Sequence, residues 1–358
     1  MLSGWRKLAQ PAVAALAVAA LLATPVPALA DRVQGAGSTF AFPIIRAWTI
    51  SFLKYRNDGS DFVVDDIGVD YEPVGSIGGI MRLAQPEMDF AASDAPLPPD
   101  ELQKRGLAQF PFVIGGLVPI VNLEGIKSGE LKLSGDLIAK MYLGQIAKWN
   151  DPAIVAVNPS LTLPDQAIKV VHRSDGSGST LTWTRYLSLS NAEWKDGPGA
   201  DTIIDWPGGT AAEGTSGILR AVRGTRGSIG YIEYGQAVRE NMIFAQVSNK
   251  PGTFVMPSPE AFAETANSAN WDPANGFYLQ LTDVDAPNAY PLAAATFALM
   301  HKTERSSSRT RRTLFFFSHA LKRGGDDAAL LGYVPLPAPL VEKVKTYWHE
   351  VLPGAAGL

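Results

Sequence analysis

Cysteine is absent from the 358 residues. No disulfide can form, and no lipid can be attached through an N-terminal Cys. Histidine is scarce: His172, His301, His319 and His349 are scattered without metal-ligand spacing. His172 adjoins a polar loop, where a lone His is usually packed or solvated. No Gly-Lys dipeptide occurs, which excludes a P-loop, and no Ser has Gly both two before and two after it, which excludes a nucleophile elbow. A basic excess is also missing. The formal charge is −4, and loss of Arg6 and Lys7 with a cleaved leader takes it to −6. That balance argues against a nucleic-acid surface, and it means that an anion site must rely on local donors rather than on the field of the whole protein. Repeats and low-complexity linkers are lacking. The eight Trp are spread along the chain, which argues against a stacking platform for sugars or bases.

A hydrophobic content of 46% over this length can bury a large core, and single cores stop growing near ~250–300 residues, so more than one unit is expected. Met1 to Ala30 reads as a secretory signal. Arg6 and Lys7 form its positive region, and Ala12 to Ala23 its apolar stretch, shorter than the ~20 residues that span a bilayer. Ala28-Leu29-Ala30 is a small-x-small cleavage site, so the mature chain is expected to start at Asp31. No later run is long and apolar enough to cross a membrane. A soluble protein of a bacterial periplasm is the expectation.

Strand-like and helix-like runs alternate, the mark of an α/β architecture. Val33–Ala36 is extended, and Gly37-Ser38-Thr39 opens a helix to about Tyr55. Phe62–Tyr71 is strand-like. Gly75-Ser76-Ile77-Gly78-Gly79 opens a short helix over Ile80–Ala84. Met88–Ala92 is a strand ending at Ser93-Asp94, and Pro98–Arg105 a helix. Phe110–Val121 is a long apolar run interrupted by Gly115-Gly116, read as a crossing between lobes. Leu133-Ser134-Gly135-Asp136 leads a helix to about Leu143. Further runs are a strand at Ile168–Val171, helices at Leu181–Leu187 and Gly214–Val222, strands at Ser228–Ile232 and Phe244–Val247, and a capped helix over Ser258–Ala269. Tyr290–Met300 reads as the return crossing, and two helices follow, Ser307–Leu321 and Pro339–Val351. Two lobes joined by two extended crossings have the shape of a hinged ligand clamp.

The most informative stretch is Arg173-Ser174-Asp175-Gly176-Ser177-Gly178-Ser179-Thr180. It lies between a strand and a helix, so backbone N–H groups point out of the loop. Two glycines let the backbone approach a ligand. The hydroxyls of Ser177, Ser179 and Thr180 and the forked cation of Arg173 suit an oxyanion at a helix N-terminus. The plainer reading is an N-capped helix after a Gly turn, with Arg173 paired to Asp175. What favours the anion is recurrence: Thr39-Phe40 and Ser76 begin two more Gly/Ser/Thr helix starts, and Asp94 stands at a strand end. Gly35-Ala36-Gly37-Ser38-Thr39-Phe40 also begins like a dinucleotide fingerprint, but Phe40 occupies the place of the third glycine. Four Arg within Arg305–Arg312 read as a solvated helix start.

Together these segments resemble the periplasmic phosphate-binding protein of the high-affinity phosphate ABC transporter. The resemblance runs from about Val33 to Leu352. It is carried by Gly35–Phe40, Gly75–Gly79, Asp89–Leu97, Phe110–Gly116 and Arg173–Thr180, with Tyr142–Ile146 and Trp149-Asn150-Asp151 adding to it. It implies a two-lobed periplasmic-binding-protein fold of α/β type with two extended hinge crossings. One lobe is expected at 31–112 plus 291–358, and the other at 113–290. It implies that Thr39, Phe40, Ser76, Asp94, Arg173, Ser177, Gly178 and Ser179 contact phosphate, with Asp175 pairing Arg173. The family pattern has Thr where this chain has Ser179; the hydroxyl is kept. The implied function is an extracytoplasmic receptor that binds inorganic phosphate and delivers it to a membrane permease. It would be a monomer, not an enzyme, without metal, cofactor or nucleic-acid partner. Two alternatives remain at this stage: a secreted relative acting without a permease, and a receptor for another oxyanion. Asp94 speaks against a fully deprotonated ligand, because phosphate near neutral pH still carries a proton that a carboxylate can accept, whereas sulfate carries none.

Overall fold

A computed structural model describes residues 32–57, 68–303 and 307–355. The expected signal segment with its cleavage site, most of the Phe62–Tyr71 run, and Arg305 lie outside the described residues. The strands, in chain order, are β1 (Val33–Gly37), β2 (Val69–Glu72), β3 (Phe90–Ser93), β4 (Leu107–Val121), β5 (Lys132–Leu133), β6 (Lys169–Arg173), β7 (Thr210–Ala212), β8 (Ser228–Glu233), β9 (Ile243–Phe244), β10 (Gln246–Ser248), β11 (Phe254–Val255) and β12 (Ala293–His301). They form one long sheet in the order β2-β1-β3-β12-β4-β8-β6-β7, with β9 also on β4, and a small sheet β11-β10-β5. Helices cover the long sheet, giving the mixed α/β, two-lobed architecture. No helix among the described residues is long and apolar enough to cross a membrane.

The rest of the chain is arranged on β4. Its residues, LAQFPFVIGGLVPIV, are buried throughout, the near-continuous apolar run that a strand covered on both faces requires. Leu107–Gly116 pairs antiparallel with β12, and Leu117–Val121 pairs antiparallel with β8. One strand therefore serves two successive partners, β12 along its first part and β8 along its last. β12 brings the chain back, inserted between β4 and β3. Opposite Thr296 and Phe297 the register slips: Thr296 pairs with Val113 and Phe297 with Pro111, which leaves Phe112 as the extra residue of a bulge. Pro111 has no N–H for the ladder, and a bulge is one of the few places where a central strand accepts proline.

The Gly115-Gly116 pair has a packing reason as well as its place in the crossing. A Cβ on Gly115 would lie 2.8 Å from the Phe40 ring, and one on Gly116 would lie 2.1 Å from the Phe262 ring. Both glycines are seats for aromatic side chains. The segment 331–334 adds a further tie to β4 and to the helix Tyr234–Arg239. Val334 exchanges backbone hydrogen bonds of 2.8 and 3.1 Å with Ile114, and Arg239 donates to the Leu331 carbonyl at 2.6 Å.

Several expectations are corrected. The first helix starts at Phe42 rather than after Ser38, because the Ser38 hydroxyl takes the Ala41 N–H (3.0 Å) in a loop that precedes it. The second spans Gly75–Arg82, starting five residues earlier than expected. The Phe244–Val247 run splits into β9 and β10 on different sheets, with a corner where the Ala245 N–H reaches the Pro119 carbonyl at 3.0 Å. Arg309 is not solvated. It donates to the carbonyls of Pro86 and Glu87 and pairs with half-buried Asp89 at 2.8 Å. The tryptophans are not all dispersed in space either. Trp183, Trp194 and Trp206 meet Tyr142 and Tyr231 in one aromatic cluster, and His172 stacks on Trp206 at 4.6 Å. Trp183 and Trp194 are fully buried, so the cluster is core, not a platform.

Candidate functional site

The parallel strands β1 and β3, and β6, which is parallel to β7 and β8, all end toward one region, where ligands of open α/β sheets commonly sit. β1 leads through Gly37 to Ser38-Thr39-Phe40, β3 ends at Ser93-Asp94, and β6 ends at Arg173. The helices Gly75–Arg82 and Gly178–Ser190 point their N-termini into the same region, and each N-terminus offers partial positive charge.

Ser76 ties these pieces together. Its Oγ accepts the Asp94 N–H at 3.2 Å and the Gly178 N–H at 3.1 Å. With both acceptor positions filled, its own O–H is left to donate. Nearby the Ile77 N–H reaches the Gly176 carbonyl at 3.3 Å. Gly75, at φ +81°, sits against Asp175; a Cβ there would be 2.7 Å from a carboxylate oxygen. These contacts join the Gly75–Asp94 region to the Arg173–Gly178 loop. Ser177 caps its helix by accepting the Thr180 N–H at 3.3 Å. Ser177, Gly178 and Ser179 are all buried at this first turn.

Arg173 is 4% exposed. Its Nε donates to Asp175 at 2.7 Å and its Nη2 donates to the other carboxylate oxygen, so one edge of the fork is occupied. The Gly214 N–H adds a bond to Asp175 at 2.9 Å. Burial alone would raise the Asp175 pKa, but the Arg173 hydrogen bond and charge and the Gly214 N–H outweigh it and hold the carboxyl below its usual range. The Arg173 backbone is fixed as well, its N–H donating to the Tyr231 hydroxyl at 3.3 Å. Burial pushes the adjacent His172 down, against the opposing effect of its contact with the Arg173 carbonyl.

Asp94 is 5% exposed. Burial pushes its pKa up to about 6, while hydrogen bonds from Ser38 and Thr296 and the Arg173 charge work the other way. A buried carboxylate needs such donors, since an unpaired charge in a dry site is strongly disfavoured. Thr39 faces the start of another helix, Gly214–Gly224, through a hydroxyl contact of 2.9 Å with Thr215. The Phe40 ring packs edge-on against Tyr333, whose hydroxyl donates to the Phe40 carbonyl at 2.6 Å.

The residues singled out from the sequence therefore fall in one region, with Ser76, Asp94 and Gly178 in direct contact. Ser38, Thr215, Gly214, Tyr231 and Thr296 were missed. Gly214-Thr215-Ser216 is the same small, polar helix start as the other three and was readable on that ground. Thr296 carried a fainter signal, a lone hydroxyl inside an apolar strand. Among the described residues no group of His, Asp and Glu could hold a metal ion.

Gly178 leads to a prediction. An added Cβ would sit 2.6 Å from the Asp94 Cβ and 2.7 Å from the Ala95 N, neither of which can swing aside. Gly178→Ala is expected to weaken anion binding by about 1–3 kcal/mol, the range for overpacking a tight contact, with the melting temperature of the ligand-free protein nearly unchanged. Equilibrium dialysis against labelled phosphate reads the effect; parental affinity would show that the close approach is dispensable.

Residues 22–312 match the PBP superfamily domain. The chain is 41% identical over 317 residues to the phosphate-binding protein PstS of Xylella fastidiosa, covering 88% of this chain and 85% of that one. It is 40% identical over 328 residues to the phosphate-binding protein PstS of Pasteurella multocida, covering 92% and 93%. Among solved structures, the fold is similar to that of a phosphate-binding protein from Stenotrophomonas maltophilia, with a TM-score of 0.62 at 18% identity over 88% of this chain and 94% of the other.

Proposed function

The chain belongs to the PBP superfamily and, within it, to the PstS family of phosphate-binding proteins, and we propose that it captures inorganic phosphate between its lobes and delivers it to an ABC permease. The family is one of solute receptors rather than enzymes. The observation that carries the reading is Asp94: a buried carboxylate set among helix N-termini and an arginine. A site for any anion would avoid it, whereas a site for an anion that brings its own proton can use it.

Closure replaces the water shell of phosphate with fixed donors. Ser76 donates its free O–H, and the Thr39, Ser177 and Ser179 hydroxyls and the N–H groups of Phe40 and Ser179 complete the shell, while the Gly178 N–H stays on Ser76 and lets the backbone approach closely. Arg173, held on one edge by Asp175, turns its other edge to the ligand. The cost of burying the anion is offset only when every oxygen is hydrogen-bonded. The ligand's own P–OH donates to Asp94. Sulfate would place lone pair against lone pair there, and a required hydrogen bond of this kind can separate two ligands by about 10⁴–10⁵.

In this reading the lobes are residues 31–112 with 291–358, and residues 113–290, and β4 is the flexing crossing. The leader is removed after Ala30, and the mature monomer works in the periplasm. Small-angle scattering tests the motion. Protein saturated with phosphate should be more compact than stripped protein. Superimposable profiles, with binding verified in the same samples by dialysis, would contradict lobe closure.

A further inference from the structure

We propose that Ser38 and Thr296 hold Asp94 as a proton acceptor and thereby set the pH range over which the site takes phosphate and refuses sulfate. The inference rests on the reading of the site given above. It concerns two residues that touch the carboxylate rather than the ligand, so they are positioning residues.

The geometry is specific. The Ser38 Oγ lies 2.7 and 2.8 Å from the two Asp94 oxygens. It also accepts the Ala41 N–H at 3.0 Å, so its single proton is left for Asp94. The loop that carries it is braced by the Tyr71 hydroxyl, which donates to the Ser38 carbonyl at 3.0 Å. Thr296 reaches Asp94 Oδ1 at 2.8 Å from the opposite side, out of β12. It is fully buried in an otherwise apolar strand, AAATFALMH, and it stands at the bulge where β12 and β4 change register. Bulges re-aim side chains, and this one delivers a hydroxyl to a carboxylate 202 residues away in sequence.

Two hydroxyl donors favour the carboxylate over the carboxylic acid. They also engage Oδ1 more fully than Oδ2, which leaves an Oδ2 lone pair for the ligand's proton. No proton changes owner: the P–OH donates and Asp94 accepts. If Asp94 were protonated, its own O–H would become a donor, and a sulfate oxygen could accept it. Sulfate affinity therefore reports the protonation of Asp94. Sulfate itself does not titrate in the range of interest, so its pH profile belongs to the protein. Other groups face this carboxyl. The Arg173 charge supports the ionised form. The Tyr71 and Tyr333 hydroxyls lie close enough for their own ionisation to be opposed by Asp94, and burial keeps both phenols protonated well beyond the usual range. Burial keeps His172, beside Arg173, neutral to lower pH; Asp175, against the raising effect of burial, is held below the usual carboxylate range by its pairing with Arg173; and burial pushes Glu233, which reaches Tyr333, up to about 7.

The experiment is sulfate titration of the parent, Thr296→Val, Thr296→Ser and Ser38→Ala from about pH 5 to about pH 9 at fixed ionic strength, with phosphate affinity and melting temperature measured alongside. In the parent, sulfate affinity should fall about tenfold per pH unit once Asp94 ionises. Removal of one hydrogen bond to a charged group should move that fall upward by about one pH unit. At a fixed pH above the transition, Thr296→Val should therefore bind sulfate about tenfold more tightly than the parent. Thr296→Ser should restore the parental profile. If Thr296→Val does not fold, Ser38→Ala gives the same reading. Variants that bind phosphate but share the parental sulfate profile overturn the inference. So does an equal loss for both anions at every pH, which marks a purely structural role, and so does a parent that takes phosphate yet refuses sulfate at every pH. A parent that binds no phosphate overturns the site reading instead.

Discussion

Arg173→Ala should weaken phosphate binding by about 2–5 kcal/mol, the scale for truncating one partner of a buried charge pair, while the fold persists. Arg173 is the one full cation that the described site brings to its centre, and it is 4% exposed. Helix N-termini give only fractions of a charge, so its loss leaves the anion facing Asp94 and Asp175 with little to balance them. Asp175 loses the fork that fills both of its oxygens and retains the Gly214 N–H. Arg173→Lys should fall between parent and alanine, because it keeps the charge but cannot grip Asp175 and an anion along two edges at once. Dialysis or calorimetry measures the change, and a thermal melt shows whether the fold survives. Affinity within twofold of the parent would make Arg173 a structural residue and move the site elsewhere.

The second large effect is on selectivity. Asp94→Asn should reduce discrimination against sulfate by about a hundredfold or more, out of the about 10⁴–10⁵ that a required hydrogen bond can supply. The orientation of the new amide follows from the donors around it. Ser38 and Thr296 both donate to Oδ1, so the amide oxygen takes that place and the NH₂ group takes the place of Oδ2. There it can donate to a sulfate oxygen. It opposes a phosphate oxygen that carries a proton and donates to a bare one, so phosphate binding changes less than sulfate binding. Competition titrations at fixed pH and ionic strength read both ligands. A parent that takes sulfate as readily as phosphate removes the argument from Asp94. A parent that discriminates and a variant that does so equally well place the selectivity in the surrounding hydroxyls.

Local chemistry was legible in the sequence; long-range chemistry was less so. Arg173 and Asp175 are two residues apart, and their pairing could be read from the loop itself. The alternation of strands and helices located most elements, because burial imposes a period that survives in one dimension. Boundaries drifted where glycine-rich starts carry no strong helix signal, as at Gly75 and Gly178. The bond from Ser76 to Gly178 spans 102 residues, and that from Thr296 to Asp94 spans 202; no spacing rule reaches so far. The tryptophans show the same limit. They are spread along the chain, yet the Gly178–Ser190 helix and the segments after it bring three of them together. Gly115 and Gly116 show in the sequence only as an interruption of an apolar run, whereas what they make room for is the rings of Phe40 and Phe262.

The most direct test is isothermal titration calorimetry of refolded, ligand-stripped protein against phosphate, arsenate and sulfate in one buffer near neutral pH. The account predicts saturable one-to-one binding of phosphate and of arsenate, both of which can carry a proton to Asp94, and weaker binding of sulfate at the same concentrations. Absence of phosphate binding, or sulfate bound as tightly as phosphate, would contradict it.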